Sequence, residues 1–234
     1  MVDIHCHLLP GIDDGPKSWE TALEMCEKAV ADGVTHLVAT PHCNHRYTYD
    51  RPAFQAMLDE LQERFPTCHF SLGCELSVSQ ENIENARSRP AWYTIGNTKY
   101  LLVEFNHFDL PTHMNSVLSE FISLGLLPII AHPERNSLLQ RRIDLLEEWI
   151  SFGCLTQITA GSLTGFWGPG PKKVCETLLK KNLVHVIASD AHDSGRRSPV
   201  LTESRKAAAK IVGDKHATAL VSETPAAIVR GELL

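Results

Sequence analysis

The sequence predicts one α/β domain, residues 1–234, built on a mostly parallel sheet. Short runs rich in Val, Ile, Leu or Phe alternate with helix-patterned stretches about seven times. A parallel strand needs a crossover, usually helical, to return to its sheet. No Pro/Gly/Ser-rich linker, low-complexity tract or repeat divides the chain. An open doubly wound sheet and a closed barrel both satisfy this order. The G-x-G-x-x-G turn that would favour a dinucleotide-binding open sheet is absent after the first strand.

Strands are expected at residues 2–7, 36–40, 69–76, 100–105, 127–131, 155–159 and 184–189. The helix over 18–32 has the clearest signals. Trp19, Leu23, Cys26 and Val30 recur at helical spacing, Ser18 supplies an N-cap and Gly33 a stop. Further helices are expected around 54–61, 117–124, 138–152, 174–179 and 201–211.

The chain is 43% hydrophobic and 21% charged, with a net charge of −6. That composition supports a real core. No apolar run approaches the roughly 18–20 residues of a membrane span, and the first residues lack the basic and long apolar regions of a secretory signal, so a cytoplasmic location is expected. The acidic balance disfavours nonspecific nucleic-acid binding, which depends on Lys and Arg at phosphates. Seven cysteines, without a C-x-x-C pair, read as reduced and mostly buried thiols. A cysteine-dependent phosphatase loop needs Arg six positions after its Cys. Here those positions hold Ile12, Asp32, Tyr49, Cys74, Gln80, Ala160 and Lys181.

Candidate metal ligands fall at the carboxyl ends of six of the seven expected strands. His5 and His7 close the first, His42 follows the second, Glu75 ends the third and Glu104 the fourth. His132 ends the fifth, and Asp190 with His192 ends the seventh. In a strand, residues i and i+2 share a face, so His5 and His7 can reach one ion. Taken singly, each of these residues has an ordinary explanation as a rim carboxylate, a salt-bridge partner or a satisfied loop histidine. Converging on the rim where α/β barrels carry chemistry, they describe a multinuclear metal centre. His36, His69 and His185 begin strands and belong at the opposite rim, and His216 lies in a C-terminal helical region. His45, His107 and His113 are on loops near the ligand-bearing rim, while Cys6 and Cys74 should face the surrounding helices.

The opening string Asp3-Ile4-His5-Cys6-His7-Leu8-Leu9-Pro10-Gly11-Ile12-Asp13-Asp14-Gly15-Pro16 resembles that of the polymerase-and-histidinol-phosphatase (PHP) superfamily. Within it, the chain resembles the bacterial tyrosine-protein phosphatases of capsular and exopolysaccharide synthesis. The likeness continues through Ala39-Thr40-Pro41-His42, Gly73-Cys74-Glu75-Leu76, Leu102-Val103-Glu104-Phe105, Ala131-His132-Pro133-Glu134-Arg135-Asn136, Gln157-Ile158-Thr159-Ala160-Gly161-Ser162 and Ala188-Ser189-Asp190-Ala191-His192.

The resemblance implies a distorted (β/α)7 barrel, similar to a TIM barrel, with three divalent metal ions at its C-terminal rim. Mn2+ comes first, with Fe or Zn as alternatives. By position, one ion would take His5, His7, Glu75 and Asp190, and Glu75 would bridge to a second held by Glu104 and His132. A third would take Asp14, His42 and His192, with Asp13 competing for the place of Asp14. Arg135 would bind phosphate. A second arginine would be Arg197 by ungapped spacing, or Arg196, which follows Gly195.

The implied reaction is hydrolysis of phosphotyrosine by metal-activated hydroxide, on the tail of a bacterial tyrosine kinase. No protein nucleophile is needed, in agreement with the missing cysteine loop. The alternative is a small-molecule phosphatase of the same superfamily, such as histidinol-phosphate phosphatase. A nuclease is disfavoured by charge, and a non-enzymatic regulator by the intact ligand set. The loop 43–50, with its aromatic and basic residues, departs from the resemblance and either lines the substrate surface or is solvated. Three divalent ions would outweigh the carboxylates of Asp14, Glu75, Glu104 and Asp190, so a globally acidic chain is compatible with an anionic substrate.

Overall fold

The computed structural model describes residues 1–234. Its strands are β1 (Val2–Cys6), β2 (His36–Ala39), β3 (His42–Cys43), β4 (His69–Leu72), β5 (Glu75–Ser77), β6 (Tyr100–Glu104), β7 (Leu127–Ala131), β8 (Leu155–Thr159) and β9 (Val186–Ala188). Every pairing is parallel. One ladder runs β1-β2-β4 and the other β3-β5-β6-β7-β8-β9.

These ladders are two stretches of one ring. β2 passes into β3 across Thr40 and Pro41, and β4 into β5 across Gly73 and Cys74. Hydrogen bonds continue over the breaks, from Gly73 N–H to the Ala39 carbonyl at 2.8 Å and from Glu75 N–H to the Pro41 carbonyl at 3.1 Å. The ring closes where β1 meets the residues after β9. Cys6 bridges Ala191 in parallel, Asp190 N–H donates to the His5 carbonyl, and His7 N–H donates to the Ala191 carbonyl, both at 2.8 Å. Seven strand positions therefore follow one another around a closed, distorted (β/α)7 barrel.

The breaks correct the expectation of continuous strands at 36–40 and 69–76. Pro41 has no N–H to give a ladder. Gly73 lies where a Cβ would come within 3.1 Å of Ile95 and 3.2 Å of Thr40, so a side chain there would have to displace its neighbours by a few tenths of an ångström. The seventh strand is also shorter than expected, at three residues.

Two apolar layers follow from the period-2 alternation of the strands. Val2, Ile4, Val38, Tyr100, Leu102, Ile129, Leu155 and Val186 form one buried cluster within the ring. Cys6, Leu37, Leu101, Val103, Ile130, Ile158 and Ile187 belong to the larger cluster against the helices, where Cys74 also lies as expected. In β1 the pairing register shifts between Asp3 and Cys6. The extra residue lets Ile4 stay in the inner layer while Cys6 turns outward. All seven cysteines are buried and unpaired.

The helices are α1 (Trp19–Ala31), α2 (Arg51–Arg64), α3 (Gln80–Ser88), α4 (Pro90–Tyr93), α5 (Met114–Ser123), α6 (Ile143–Ser151), α7 (Ala160–Thr164), α8 (Pro169–Lys180), α9 (Thr202–Val212), α10 (Asp214–Val221) and α11 (Glu223–Arg230). Ser18 caps α1 by accepting the Thr21 N–H. α2 begins earlier than expected because Asp50 caps it and Pro52 occupies its first turn. The expected helix over 138–152 divides into a 3-10 turn, Leu139–Arg141, and α6, with Arg142 non-helical between them at φ −124° and ψ 55°. No helix is long and apolar enough to cross a membrane.

The last helix, α11, supplies Ile228 to the inner cluster, fully buried beside Ile95 and the strand side chains. Ile228→Ala is expected to destabilise the fold by about 2–4 kcal/mol through lost burial and an unfilled cavity. Urea denaturation checks this, and an unchanged midpoint would contradict α11's place in that layer.

Candidate metal centre

Glu75 is the hub of the carboxyl rim. It starts β5, is fully buried, and meets four imidazoles. Its Oε1 lies 2.8 Å from His132 Nε2 and 3.2 Å from His5 Nε2. Its Oε2 lies 2.8 Å from His42 Nδ1 and 3.2 Å from His7 Nε2. Asp190 Oδ1 adds a second buried carboxylate 3.4 Å from His5 Nε2 and 3.5 Å from His7 Nε2. Glu104 stands 3.7 Å from His42 Nδ1 and accepts the Ser77 hydroxyl at 2.7 Å. Asp14 Oδ1 lies 3.3 Å from His42 Nε2 and 3.2 Å from His192 Nε2.

Potential ligand atoms fall into three overlapping groups, each within 4.8 Å: His7, Asp14, His42 and His192; His5, His7 and Glu75; and His42, Glu75 and Glu104. These groups hold seven of the nine ligand candidates from the sequence, and His132 and Asp190 adjoin them through Glu75 and through His5 and His7. These last two stand on left-handed backbone, His132 at φ 32° and Asp190 at φ 52°. Such conformations cost roughly 1–3 kcal/mol each and persist where the surroundings impose them. Here they end β7 and follow β9, turning both side chains into the rim.

The hydrogen bonds fix which nitrogens face inward. His5 Nδ1 donates to Gln157 Oε1 at 2.9 Å, His7 Nδ1 to Asp13 Oδ2 at 2.8 Å, and His192 Nδ1 to the Asp190 carbonyl at 3.0 Å. Outer acceptors of this kind orient metal-binding imidazoles. The inner atoms His5 Nε2, His7 Nε2, His42 Nδ1 and Glu75 Oε2 are buried and have no hydrogen-bond partner despite their proximity. They aim at shared space rather than at one another. A mixed set of imidazoles and carboxylates of this kind fits divalent transition metals.

The same bonds separate Asp13 from Asp14. Asp13 is occupied by His7, by Gly15 N–H at 2.9 Å and by His42 N–H at 3.2 Å, so it positions the centre from outside. Asp14 enters it. The turn needs Gly15, because a Cβ there would meet the His7 carbonyl at 2.8 Å.

Arg135 and Arg197 both reach Asp190 from the open side, the latter at 2.9 Å. The indole of Trp167 lies against both, 4.4 Å from Arg135 Cζ and 5.3 Å from Arg197 Cζ. Arg196 instead lies over Phe166, at 5.2 Å. The adjacent arginines therefore diverge, and Arg197 is the one that joins the cavity of about 110 Å3 at the centre.

Sequence reasoning did not single out Trp167 or Gln157. Trp167 sits in a turn between α7 and α8, where the sequence carries no spacing signal toward the arginines. Gln157 is the inward residue of the one strand that lacks a titratable ligand, and that position was the available clue. His107 does reach the centre, with its Nε2 3.4 Å from Arg135. His45 lines a neighbouring groove of about 410 Å3, whereas His113 is exposed at the start of α5. The loop 43–50 borders that groove, and Tyr47 stacks on His42 at 5.9 Å. His36 and His185 serve the opposite rim, bonded to Ser71 and to the Thr156 N–H.

Charge is unevenly shared. Burial opposes ionisation of Glu75, yet His5 and His42 hold its carboxyl well below the usual range. Burial, and then the charge of Glu75, pushes Glu104 up to about 7. Burial works against a cationic His42, but Glu75 and Asp14 together raise it to about 10. His7 is likewise raised against burial, by Asp13. Burial and Arg135 lower His132 to about 4.

Residues 1–230 match the family described as capsular polysaccharide synthesis, CpsB/CapC. The chain belongs to the CpsB/CapC family. CapC of Staphylococcus aureus is 39% identical over 208 residues, covering 87% of this chain and 81% of that one. The tyrosine-protein phosphatase YwqE of Bacillus subtilis is 34% identical over 203 residues, covering 85% and 80%. A solved structure from work on YwqE of B. subtilis and CpsB of Streptococcus pneumoniae, described as metal-dependent tyrosine phosphatases, superposes with a TM-score of 0.93. It is 31% identical and covers 100% of this chain and 96% of that one. The CpsB/CapC framework thus extends over the whole barrel.

At neutral pH the bare CpsB/CapC rim holds protons on His7 and His42, and partly on Glu104. Metal ligation needs these groups deprotonated. Divalent-metal binding is therefore expected to release more than one proton per chain near pH 7 and to strengthen as pH rises. Calorimetry in buffers of different ionisation enthalpy checks this, and buffer-independent heats would contradict it.

Proposed function

We propose that this chain is a metal-dependent protein-tyrosine phosphatase acting on a phosphotyrosine protein, a bacterial tyrosine kinase of capsular or exopolysaccharide synthesis. The observation that carries the reading is the set of inward, unpartnered imidazole and carboxylate atoms lying directly beneath two arginines. Three divalent ions are proposed, Mn2+ first. His5, His7, Glu75 and Asp190 would hold one, and Glu75, Glu104 and His132 a second. Asp14, His42 and His192 would hold the third. When bound, such ions lower the pKa of water toward neutrality and neutralise charge on a phosphoryl group.

The chain's own residues supply the rest. Arg135 and Arg197 present guanidinium donors to the non-bridging phosphoryl oxygens, where two-pronged hydrogen bonding is strong. Trp167 holds both guanidiniums in place. Asp13 and Gln157 keep the Nε2 atoms of His7 and His5 directed at the centre. No thiol takes part: every cysteine is buried, and burial pushes Cys6, Cys74 and Cys175 well above the ordinary thiol range. A tyrosine phenolate, with a pKa of about 10, is a tolerable leaving group without a dedicated acid.

Chelation is expected to abolish hydrolysis of a phosphotyrosine peptide, and Mn2+ to restore it, while thiol alkylation has no effect. Chelator-insensitive turnover would refute the reading. His132→Ala should lower kcat/KM by at least about a hundredfold, the scale of losing a group that acts in the transition state. Steady-state assays on phosphotyrosine peptide and on histidinol phosphate then separate the two phosphatase readings, because a strong preference for histidinol phosphate would favour the small-molecule alternative.

A further inference from the structure

Beside the metal centre, and joined to it through Asp190 and Arg197, lies a second cavity of about 330 Å3. Its floor is the start of α7 at Thr159–Gly161, and Phe166 and Trp167 form a wall. Arg196 stands on its rim, exposed, with its guanidinium over the Phe166 ring and no carboxylate within ion-pair distance. The neighbouring Arg197 is engaged by Asp190. Glu203 also lines the cavity, but Lys206 pairs with it at 2.8 Å. The space therefore combines an aromatic wall with one uncompensated cation, directly next to the position proposed for the phosphoryl group.

We infer that this cavity is a substrate subsite for an anionic side chain flanking the target phosphotyrosine, with Arg196 as its recognition residue. The inference rests on the phosphatase reading above. It divides the adjacent arginines by task, Arg197 toward the scissile phosphoryl group and Arg196 toward the substrate's neighbouring residue. In an extended peptide residues i and i+2 share a face, about 6.6–7.2 Å apart, so the side chain two positions from the phosphotyrosine can occupy the adjoining cavity. The aromatic wall accommodates the stem of a long or aromatic side chain, and the guanidinium pairs with its charge. Either a carboxylate or a second phosphoryl group carries that chemistry.

The test uses the Mn2+-loaded chain and phosphotyrosine peptides that differ only two positions from the target, bearing Glu, a second phosphotyrosine, Gln or Lys there. An exposed or half-exposed ion pair is worth up to about 1 kcal/mol, so kcat/KM for an anionic neighbour should exceed that for Gln by about fivefold, and the margin should shrink with salt. Arg196→Gln should erase the margin, and Arg196→Glu should reverse it in favour of Lys. A margin for Glu and phosphotyrosine alike supports the subsite for any anion, and a margin for one alone supports it for that source. Equal turnover of all four peptides by the unmodified enzyme, or a margin that survives Arg196→Gln, overturns the inference. Free phosphotyrosine is the control for the underlying reading. Hydrolysis of the peptides without any preference among them rejects the subsite alone, whereas absence of hydrolysis of free phosphotyrosine and of every peptide rejects the phosphatase assignment itself.

Discussion

The structure depends on keeping one carboxylate, Glu75, ionised in a place without solvent. An isolated buried carboxylate would take up a proton. Here His5, His7, His42 and His132 surround it. His5, His7 and His42 are held toward their cationic forms beside it, whereas His132 is kept neutral by burial and Arg135; a divalent cation would supply the same compensating charge. The outer hydrogen bonds from Asp13 and Gln157 matter for the same reason. They hold imidazoles in position whether a proton or a cation occupies the middle, which pre-organises the rim.

The barrel supplies that arrangement by simple means. Parallel strands all deliver their carboxyl ends to one face, so a ligand placed at each end needs little loop to reach its neighbours. Where a strand direction is wrong for the site, the backbone bends. His132 and Asp190 adopt left-handed conformations, β1 carries an irregular register, and the second and third strand positions break at Pro41 and Gly73. These departures fall beneath or within the ligand rim, so the barrel's distortion and its chemistry share a location.

Much of this was legible in the sequence because strand ends and ligand types are local properties. The parallel α/β order, the first helix and all nine rim residues could be read from the chain. What escaped depends on geometry set by distant parts. Whether Asp13 or Asp14 turns inward is decided by the space beside His7 that Gly15 leaves open, and sequence shows only adjacent carboxylates. Arg196 and Arg197 diverge because one meets Asp190 and the other Phe166, both far along the chain or across a turn. The helix α3 is mostly polar and buries Asn82 with Ile83 and Ala86, so it lacks an apolar stripe. α7 is five residues long, too short for periodicity to register.

The closure of the ring between β1 and the segment after β9 also has a bearing on biosynthesis. His5 and His7 precede Asp190 and His192 by nearly two hundred residues. A nascent chain emerging from the ribosome therefore carries half of the rim, with its partners unsynthesised, until the segment after β9 has been made. The rim is complete only once the ring has closed. The long sequence separation of the closing strands makes that step one of high contact order, placing it among the slow stages of maturation.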